Sequence, residues 1–356
     1  MSQSCPFHRS GSPEPAAIPD AHPPVLPAKV GVLIVNLGTP DGLDYLSMRR
    51  YLSEFLSDRR VIEVHPALWQ LILQGPILTF RPKKSAKAYA KIWNHERNES
   101  PLRTITREQG EALAARIGND ELLVDWAMRY GKPSIEERIG ALVESGASRI
   151  VVCGLYPQYA ASTTATVYDK AFEALAKLRW QPALRTVPPF HDDPAWIDAI
   201  VGSIQEHLAS VPFEPEVLLT SFHGLPKEYL EKGDPYHCQC AKSSRLIAEG
   251  LGWSPDRVRL TFQSRFGPTE WLQPYTDVTA EELGKQGVKR LAVVTPGFFA
   301  DCLETLEEID IGVRETFLEA GGEEFTTVPC LNSSTRAIDV LERVIRRELS
   351  GWVAPA

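Results

Sequence analysis

Uninterrupted apolar runs recur along this chain and predict strands. KVGVLIVNLG (Lys29–Gly38), LLVDWAMRY (Leu122–Tyr130) and RIVVCGLYP (Arg149–Pro157) fall in the first half. EVLLTSFHG (Glu216–Gly224), RVRLTFQS (Arg257–Ser264) and RLAVVTPG (Arg290–Gly297) fall in the second. Between them apolar positions recur at helical spacing, around Pro101–Ile117, Pro133–Ser145, Ser162–Leu178, Pro194–Ala209, Ser243–Gly252, Val278–Gly287 and Cys302–Ala320. Strands apolar on both faces that alternate with helices predict an α/β fold with parallel sheets covered on both sides. The rhythm occurs twice, so two doubly wound domains are expected, over 29–188 and 189–333. A closing helical stretch, 334–350, has no strand after it and is expected to pack back on the first domain. The Pro- and Ser-rich residues 1–28 have little to bury and are expected to be a disordered tail.

Composition narrows the function classes. The chain has 356 residues, 43% hydrophobic and 24% charged, as soluble globular proteins do. Its net charge of −8 argues against a general nucleic-acid binder, which needs a basic face. Six cysteines in a chain of this length read as reduced thiols and a cytoplasmic protein. The longest apolar stretch, Ala67 to Phe80, is broken by Gly75-Pro76 and falls short of the roughly 18–20 residues a membrane span needs. The turn after the first strand, NLGTPDG, is no dinucleotide fingerprint, and no P-loop follows any strand, so a nucleotide-dependent enzyme is not supported.

The densest chemistry lies behind the last apolar strand, in TPGFFADCLETLEEID (Thr295–Asp310). On a helix of 3.6 residues per turn, Leu303, Leu306, Ile309, Val313 and Phe317 form a core stripe. Asp301, Glu304 and Glu308 then share another face, with Glu307 and Asp310 turned elsewhere. One reading is a solvated acidic face favoured by the helix dipole. The other is a ligand site, because open parallel sheets bind ligands beyond the carboxyl ends of their strands. Phe298 and Phe299 stand at that end, beside the acids. His223 ends another strand of the same half, in SFHGLP, where Gly224 and Pro226 enforce a bend. A lone histidine there is a structural hydrogen-bonder or a catalyst. Imidazole and carboxylates facing one crevice bind a divalent metal or accept protons near neutral pH. His237–Cys240 (HCQC) lacks zinc-knuckle spacing and reads as a structural loop. The apolar stretch 67–80 is followed by Arg81, Lys83, Lys84, Lys87 and Lys91, either a core helix with a solvated basic one or a lip that touches anionic ligands or lipid.

SFHGLP at 221–226, GFFADCLETLEEI at 297–309, QSRFGPTEWLQP at 263–274 and LYPQYAASTT at 155–164 resemble the ferrochelatase family. VNLGTPD at 35–41 and GDPYHCQC at 233–240 resemble its bacterial members. The resemblance runs from about Val30 to the C-terminal helix. It implies two Rossmann-like, chelatase-like domains with the active-site cleft between them. It also implies insertion of Fe²⁺ into protoporphyrin IX to give protohaem, with release of two protons, as the last step of haem synthesis. His223 is implied as the central residue, a metal ligand or base, with Glu304 as its partner. Asp301 and Glu308 follow as further acids of the site. Phe298 and Trp271 are implied as an aromatic wall, and Arg129, Tyr130 and Tyr159 as substrate contacts from the first domain. Members with a [2Fe–2S] cluster hold it by four cysteines. Here Ala161 stands at one such position and no cysteine follows Cys330, so no cluster is expected and Fe²⁺ enters as substrate only. Cys302 stands where animal members carry a histidine. The expected location is the cytoplasm, with peripheral membrane contact through 67–91. Rival readings are a chelatase for coproporphyrin III or a cobalt-receiving precursor, and a non-catalytic porphyrin or haem carrier. A carrier has no need of three carboxylates facing His223.

Overall fold

Two four-stranded parallel sheets, wound in the same way, make up the computed structural model, which describes residues 26–265, 267 and 269–353. The expected tail, 1–28, lies almost wholly outside the described residues. The first half runs β1 (Lys29–Gly38), α1 (Tyr45–Leu56), α2 (Pro66–Ile72), α3 (Leu78–Ala90), α4 (Pro101–Ile117), β2 (Leu122–Tyr130), α5 (Ile135–Glu144), β3 (Ala147–Gly154), α6 (Thr166–Ala176) and β4 (Ala183–Thr186). The second runs α7 (Pro194–Ser210), β5 (Val217–His223), α8 (Lys227–Glu231), α9 (Tyr236–Leu251), β6 (Val258–Gln263), α10 (Thr276–Lys285), β7 (Arg290–Val294), a π-helix (Glu304–Val313) continuing into α11 (Arg314–Glu319), β8 (Glu324–Val328) and α12 (Thr335–Leu349).

The strand orders are β2-β1-β3-β4 and β6-β5-β7-β8. In each, the chain winds to one side of the first strand and then crosses to the other. The switch points therefore lie between β1 and β3, and between β5 and β7. Ligands of open α/β sheets bind at such points, outside the carboxyl ends of the strands.

The sequence pattern explains the sandwich. Val32, Leu33, Ile34 and Val35 of β1 are all fully buried. Val32 and Ile34 face a core shared with α4, α7 and α12, whereas Leu33 and Val35 face one shared with α5 and α6. The first of these cores also takes in Leu218 of β5 and Val294 of β7, so it runs through both halves. Helix α12 lays Ile338, Leu341, Val344 and Ile345 into it, and Arg116 of α4 pairs with Asp339 and Glu342. Gln109 is fully buried, and its Nε2 donates to the carbonyl of Asn332 at 2.7 Å, another tie between the halves.

Several elements depart from the sequence reading. Strands β4 and β8 and helix α1 were not expected. β4 is four residues long, β8 reads EFTTV, and both are edge strands. Helix α1 is capped by Asp44, whose carboxylate accepts from the amides of Leu46 and Ser47, and it buries Met48, Tyr51, Leu52 and Leu56. The helix expected from Ser243 begins at Tyr236, so His237–Cys240 is its first turn and not a loop. There His237 stacks on Phe262 and Cys240 is buried. The apolar stretch 67–80 forms no core helix. It spans α2, a π-helical turn (Leu73–Ile77) kinked at Gly75, and the start of α3. Only Leu73 and Leu78 of it are buried, whereas Leu71 is 76% and Phe80 73% exposed.

One glycine shapes the exit from β1. Gly38 has φ +113°, and a Cβ there would lie 1.9 Å from the carbonyl oxygen of Tyr130. Only glycine accommodates both the conformation and that approach.

Candidate active site

His223 is the last residue of β5, at the switch point of the second sheet. Its Nδ1 lies 2.6 Å from the carbonyl oxygen of Gly224. A carbonyl can only accept, so Nδ1 carries the proton and the neutral ring keeps its lone pair on Nε2. The following turn pairs with 270–272: Leu272 donates its amide to Leu225 O and Lys227 to Glu270 O, both at 2.9 Å. That pairing sets the Trp271 ring 6.5 Å from the imidazole, tilted by 53°. Gly224 makes this possible, because a Cβ there would sit 2.8 Å from Gln263 O and 3.2 Å from the indole.

Across the switch point, β7 leads to the acidic segment. The expected 3.6-residue helix is a π-helix from Glu304 to Val313, which closes i→i+5 bonds. Its buried stripe is Thr305, Ile309 and Val313, continued by Phe317, at a strict spacing of four. Leu303 and Leu306, expected in the core stripe, are only half-buried, and Leu303 packs against the α1 and α3 cluster of the first half. Asp301 precedes the helix, and both its carboxylate oxygens are engaged. Asn332 Nδ2 donates to one at 2.7 Å and Thr305 Oγ1 to the other at 2.9 Å. Glu307 and Asp310 do turn elsewhere, pairing with Lys91 and Arg314.

Glu304 and Glu308 remain at the head of the helix, each in a different state. Glu308 accepts from Ser264 Oγ and, at 3.4 Å, from Gln263 Nε2. Burial, reinforced by the negative charge of Glu304, pushes its carboxyl up to about 7. The Glu304 carboxylate lies against the buried Cys302 thiol and has no other hydrogen-bond donor among the described residues. Burial raises the Cys302 thiol, and the Glu304 charge adds to that. Burial likewise raises Tyr51 of α1 and Tyr89 of α3, with Glu304 again contributing, so this carboxylate faces the first half of the chain.

The elevated Glu308 carboxyl makes a stability prediction. The folded protein binds this proton up to about pH 7, and the unfolded chain releases it near the ordinary glutamate value. Folding is therefore favoured by the bound proton at low pH, and that advantage is lost as pH rises through about 7. Glu308→Gln keeps a neutral group there at every pH. Its melting temperature should match the parent's at about pH 4, below the ordinary glutamate value, and exceed it at pH 8. Equal melting temperatures at both pH values would refute the assignment.

The other expected residues divide between cleft and interior. Phe298 is half-buried against Leu102, Ala300 and Cys302, and Phe299 is buried edge-on to Phe190 at 6.2 Å. Tyr159 is half-buried, and its amide donates to Gln239 Oε1 at 2.7 Å. Arg129 and Tyr130 are interior. The Arg129 guanidinium donates to Asp58 and, through Nε, to Thr166 Oγ1 at 2.6 Å, and the Tyr130 hydroxyl donates to Asp58 at 2.8 Å. Asp58 also accepts from Thr166 Oγ1. Burial pushes the Asp58 carboxyl up, but the hydrogen bonds from Thr166 and the Arg60 amide, with the Arg129 charge, hold it below the usual range. Asp58, Arg129 and Thr166 of this cluster line a cavity of about 1250 Å³ between α1 and α6, with Arg49, Arg50, Arg59 and Arg60 and with Glu54, Glu63, Asp169 and Glu173; His223 and Glu304 do not line it. Among the described residues, no three His, Cys, Asp or Glu side chains converge as a ready metal cage.

The ferrochelatase family model matches residues 29–349. The chain belongs to the ferrochelatase family. It is 61% identical over 341 residues to the ferrochelatase of Agrobacterium fabrum, covering 96% of this chain and 99% of that one. With the ferrochelatase of Rhizobium meliloti the identity is 62%, over 93% and 98% of the two chains. Among solved structures, SirB from Bacillus subtilis with Fe³⁺ superposes with a TM-score of 0.54 at 15% identity, over 90% of this chain and 95% of that one. CbiX, the terminal enzyme for biosynthesis of sirohaem in denitrifying bacteria, gives 0.50 at 15%, over 89% and 98%. These last two show a shared fold.

The ferrochelatase-family enzyme is a lyase. It inserts Fe²⁺ into protoporphyrin IX and forms haem. Iron and porphyrin are both substrates. Residues that the sequence reading did not single out hold this site together. Asp58 gave no signal, being one aspartate among surface charges. Asn332 stands outside any motif. Ser221, Gln263 and Ser264 are polar residues at strand ends inside the SFHGLP and QSRFGPTEWLQP motifs, and nothing local marks their partners.

Proposed function

We propose that His223 and Glu304 handle the metal and the pyrrole protons, with Trp271 and Phe298 holding the macrocycle. The observation that carries this is the state of the three carboxylates. The protein occupies both oxygens of Asp301 and hydrogen-bonds Glu308, whereas Glu304 meets only a thiol and faces the cleft. A partly exposed carboxylate that the protein leaves open attracts a cation or a proton. The Nε2 lone pair of His223 offers a neutral ligand or base at the end of the neighbouring strand. As iron enters, two pyrrole N–H protons must leave. The imidazole or Glu304 accepts them, and Glu308, poised near neutral pH, passes protons along the helix. Asp301 fixes the turn ahead of Glu304. Arg129, Tyr130 and Tyr159 contribute from the first half, Arg129 from its ion pair with Asp58 at the wall of the cavity between α1 and α6.

Glu304→Gln tests the allocation. It should bind protoporphyrin with an affinity within a few-fold of the parent's, read from the Soret band, and lose metallation by roughly a hundredfold or more. Parental turnover would remove Glu304 from the chemistry.

A peripheral membrane role for 67–91 is the finer reading of that surface. Exposed Leu68, Leu71 and Phe80 beside exposed Lys83, Lys84 and Lys87 support it. Arg81 does not belong to this basic face, because its guanidinium is largely buried. No helix among the described residues is long and apolar enough to cross a membrane. Sedimentation with anionic liposomes should carry the parent down and leave a Lys83/Lys84/Lys87→Gln variant in solution. A parent that stays in the supernatant refutes the reading.

A further inference from the structure

Beneath the acidic helix lies a buried polar chain that the chemistry above does not use. Gln263 ends β6 with only 6% of its surface exposed. Its Oε1 accepts from Ser221 Oγ at 2.8 Å, and its Nε2 donates to the backbone carbonyl of Glu304 at 2.7 Å. A carbonyl cannot donate, so the amide has one orientation. The same Nε2 reaches Glu308 Oε2 at 3.4 Å. Ser221 is fully buried and lies 2.8 Å from Thr276 Oγ1, which lies 3.0 Å from Thr261 Oγ1.

The backbone of Gln263 serves the other side of the site. It is the register partner of His223, and its carbonyl accepts from the Gly224 amide at 2.7 Å. One residue thus holds the turn that carries the imidazole and the helix that carries both carboxylates. A leucine fills nearly the same volume but leaves the Glu304 carbonyl without its donor, at a cost in stability, whereas Ser221 keeps its contact with Thr276. The adjoining strand residues, Phe222 and Phe262, are apolar and fully buried.

We propose that Gln263, oriented by Ser221, is a positioning residue for metallation: it fixes the placement of Glu304 and Glu308 relative to His223. This rests on the allocation of those three residues above. Small displacements matter in such a site, where about 1 Å can cost a hundredfold in rate.

The test compares Gln263→Leu, Ser221→Ala and Ser221→Thr with the parent and with Glu304→Gln. Porphyrin affinity, melting temperature, and kcat and KM for Fe²⁺ are measured anaerobically. Gln263→Leu should keep its porphyrin affinity and lose roughly ten- to a hundredfold in kcat. Ser221→Ala should lose kcat in the same direction by less, and Ser221→Thr, which keeps the hydroxyl, should recover it. Parental kcat in Gln263→Leu overturns the proposal while a dead Glu304→Gln leaves the allocation standing. A fall in kcat that only tracks lost porphyrin binding and lost melting temperature also overturns it. If Gln263→Leu does not fold, the serine pair decides: equal kcat in the Ala and Thr variants overturns it. Parental turnover in Glu304→Gln overturns the allocation and this proposal together.

Discussion

His223→Ala should leave a folded protein that binds protoporphyrin and loses about 10²–10⁴-fold in turnover, the usual worth of a positioned acid–base group. The ring is not part of the core: His223 is only half-buried, and its ring's one hydrogen bond among the described residues goes to the adjacent Gly224 carbonyl. Little packing is lost with it. What is lost is the Nε2 lone pair at the switch point, beside Trp271. Imidazole supplied in the buffer should restore part of the rate, because alanine leaves a ring-sized gap beside Trp271. Anaerobic formation of haem, followed by its visible bands, gives the rate. Soret titration gives the affinity. Near-parental turnover would take His223 out of the mechanism. Loss of porphyrin binding without a change in the bound-state rate would make it a substrate contact only.

The second large effect falls on stability. Asp58→Ala should destabilise the first half of the protein by about 3–5 kcal/mol, the cost of removing one partner from a buried ion pair. Four groups lose their acceptor at once: the Arg129 guanidinium, the Tyr130 hydroxyl, the Thr166 hydroxyl and the Arg60 amide. Arg129 is 6% exposed and cannot turn to water. Asp58→Asn keeps an acceptor without the charge and should fall between alanine and parent. The depressed Asp58 carboxyl has a pH signature of its own. Its contribution is complete above the ordinary aspartate value and fades as pH falls through the lower folded value. The parent and Asp58→Ala should therefore converge in acid. Thermal unfolding at pH 7 and at low pH checks both statements. An unchanged melting temperature at pH 7 would mean that Arg129 finds another partner.

How far the sequence carried depended on what each residue had to show. Val32–Val35 and Leu218–Leu219 are apolar on both faces, and a strand buried on both sides has no other pattern. Edge strand β8 reads EFTTV, with only Phe325 and Val328 apolar, and β4 is four residues long, so neither stood out. The π-helix was hidden for a different reason. Leu303 and Leu306 imitate a core stripe at 3.6 spacing, yet both are only half-buried, and Leu303 packs on residues of α1 and α3 in the first half. Apolar residues that pack between the halves and those of a core leave the same mark on a sequence. His223 and Glu304 were legible by residue type and by their place at strand ends. The engagement of Asp301 was not, because it depends on Asn332, 31 residues away. Asp58 lies 71, 72 and 108 positions from the three side chains that donate to it, and no local pattern could reveal them.

The most direct test of the whole account is anaerobic mixing of the purified protein with Fe²⁺ and protoporphyrin IX, with coproporphyrin III run in parallel. Repeated turnover of protoporphyrin to protohaem, faster than that of coproporphyrin, is the predicted result. Stoichiometric binding of the porphyrin with no metallation would contradict it and make the cleft a carrier's.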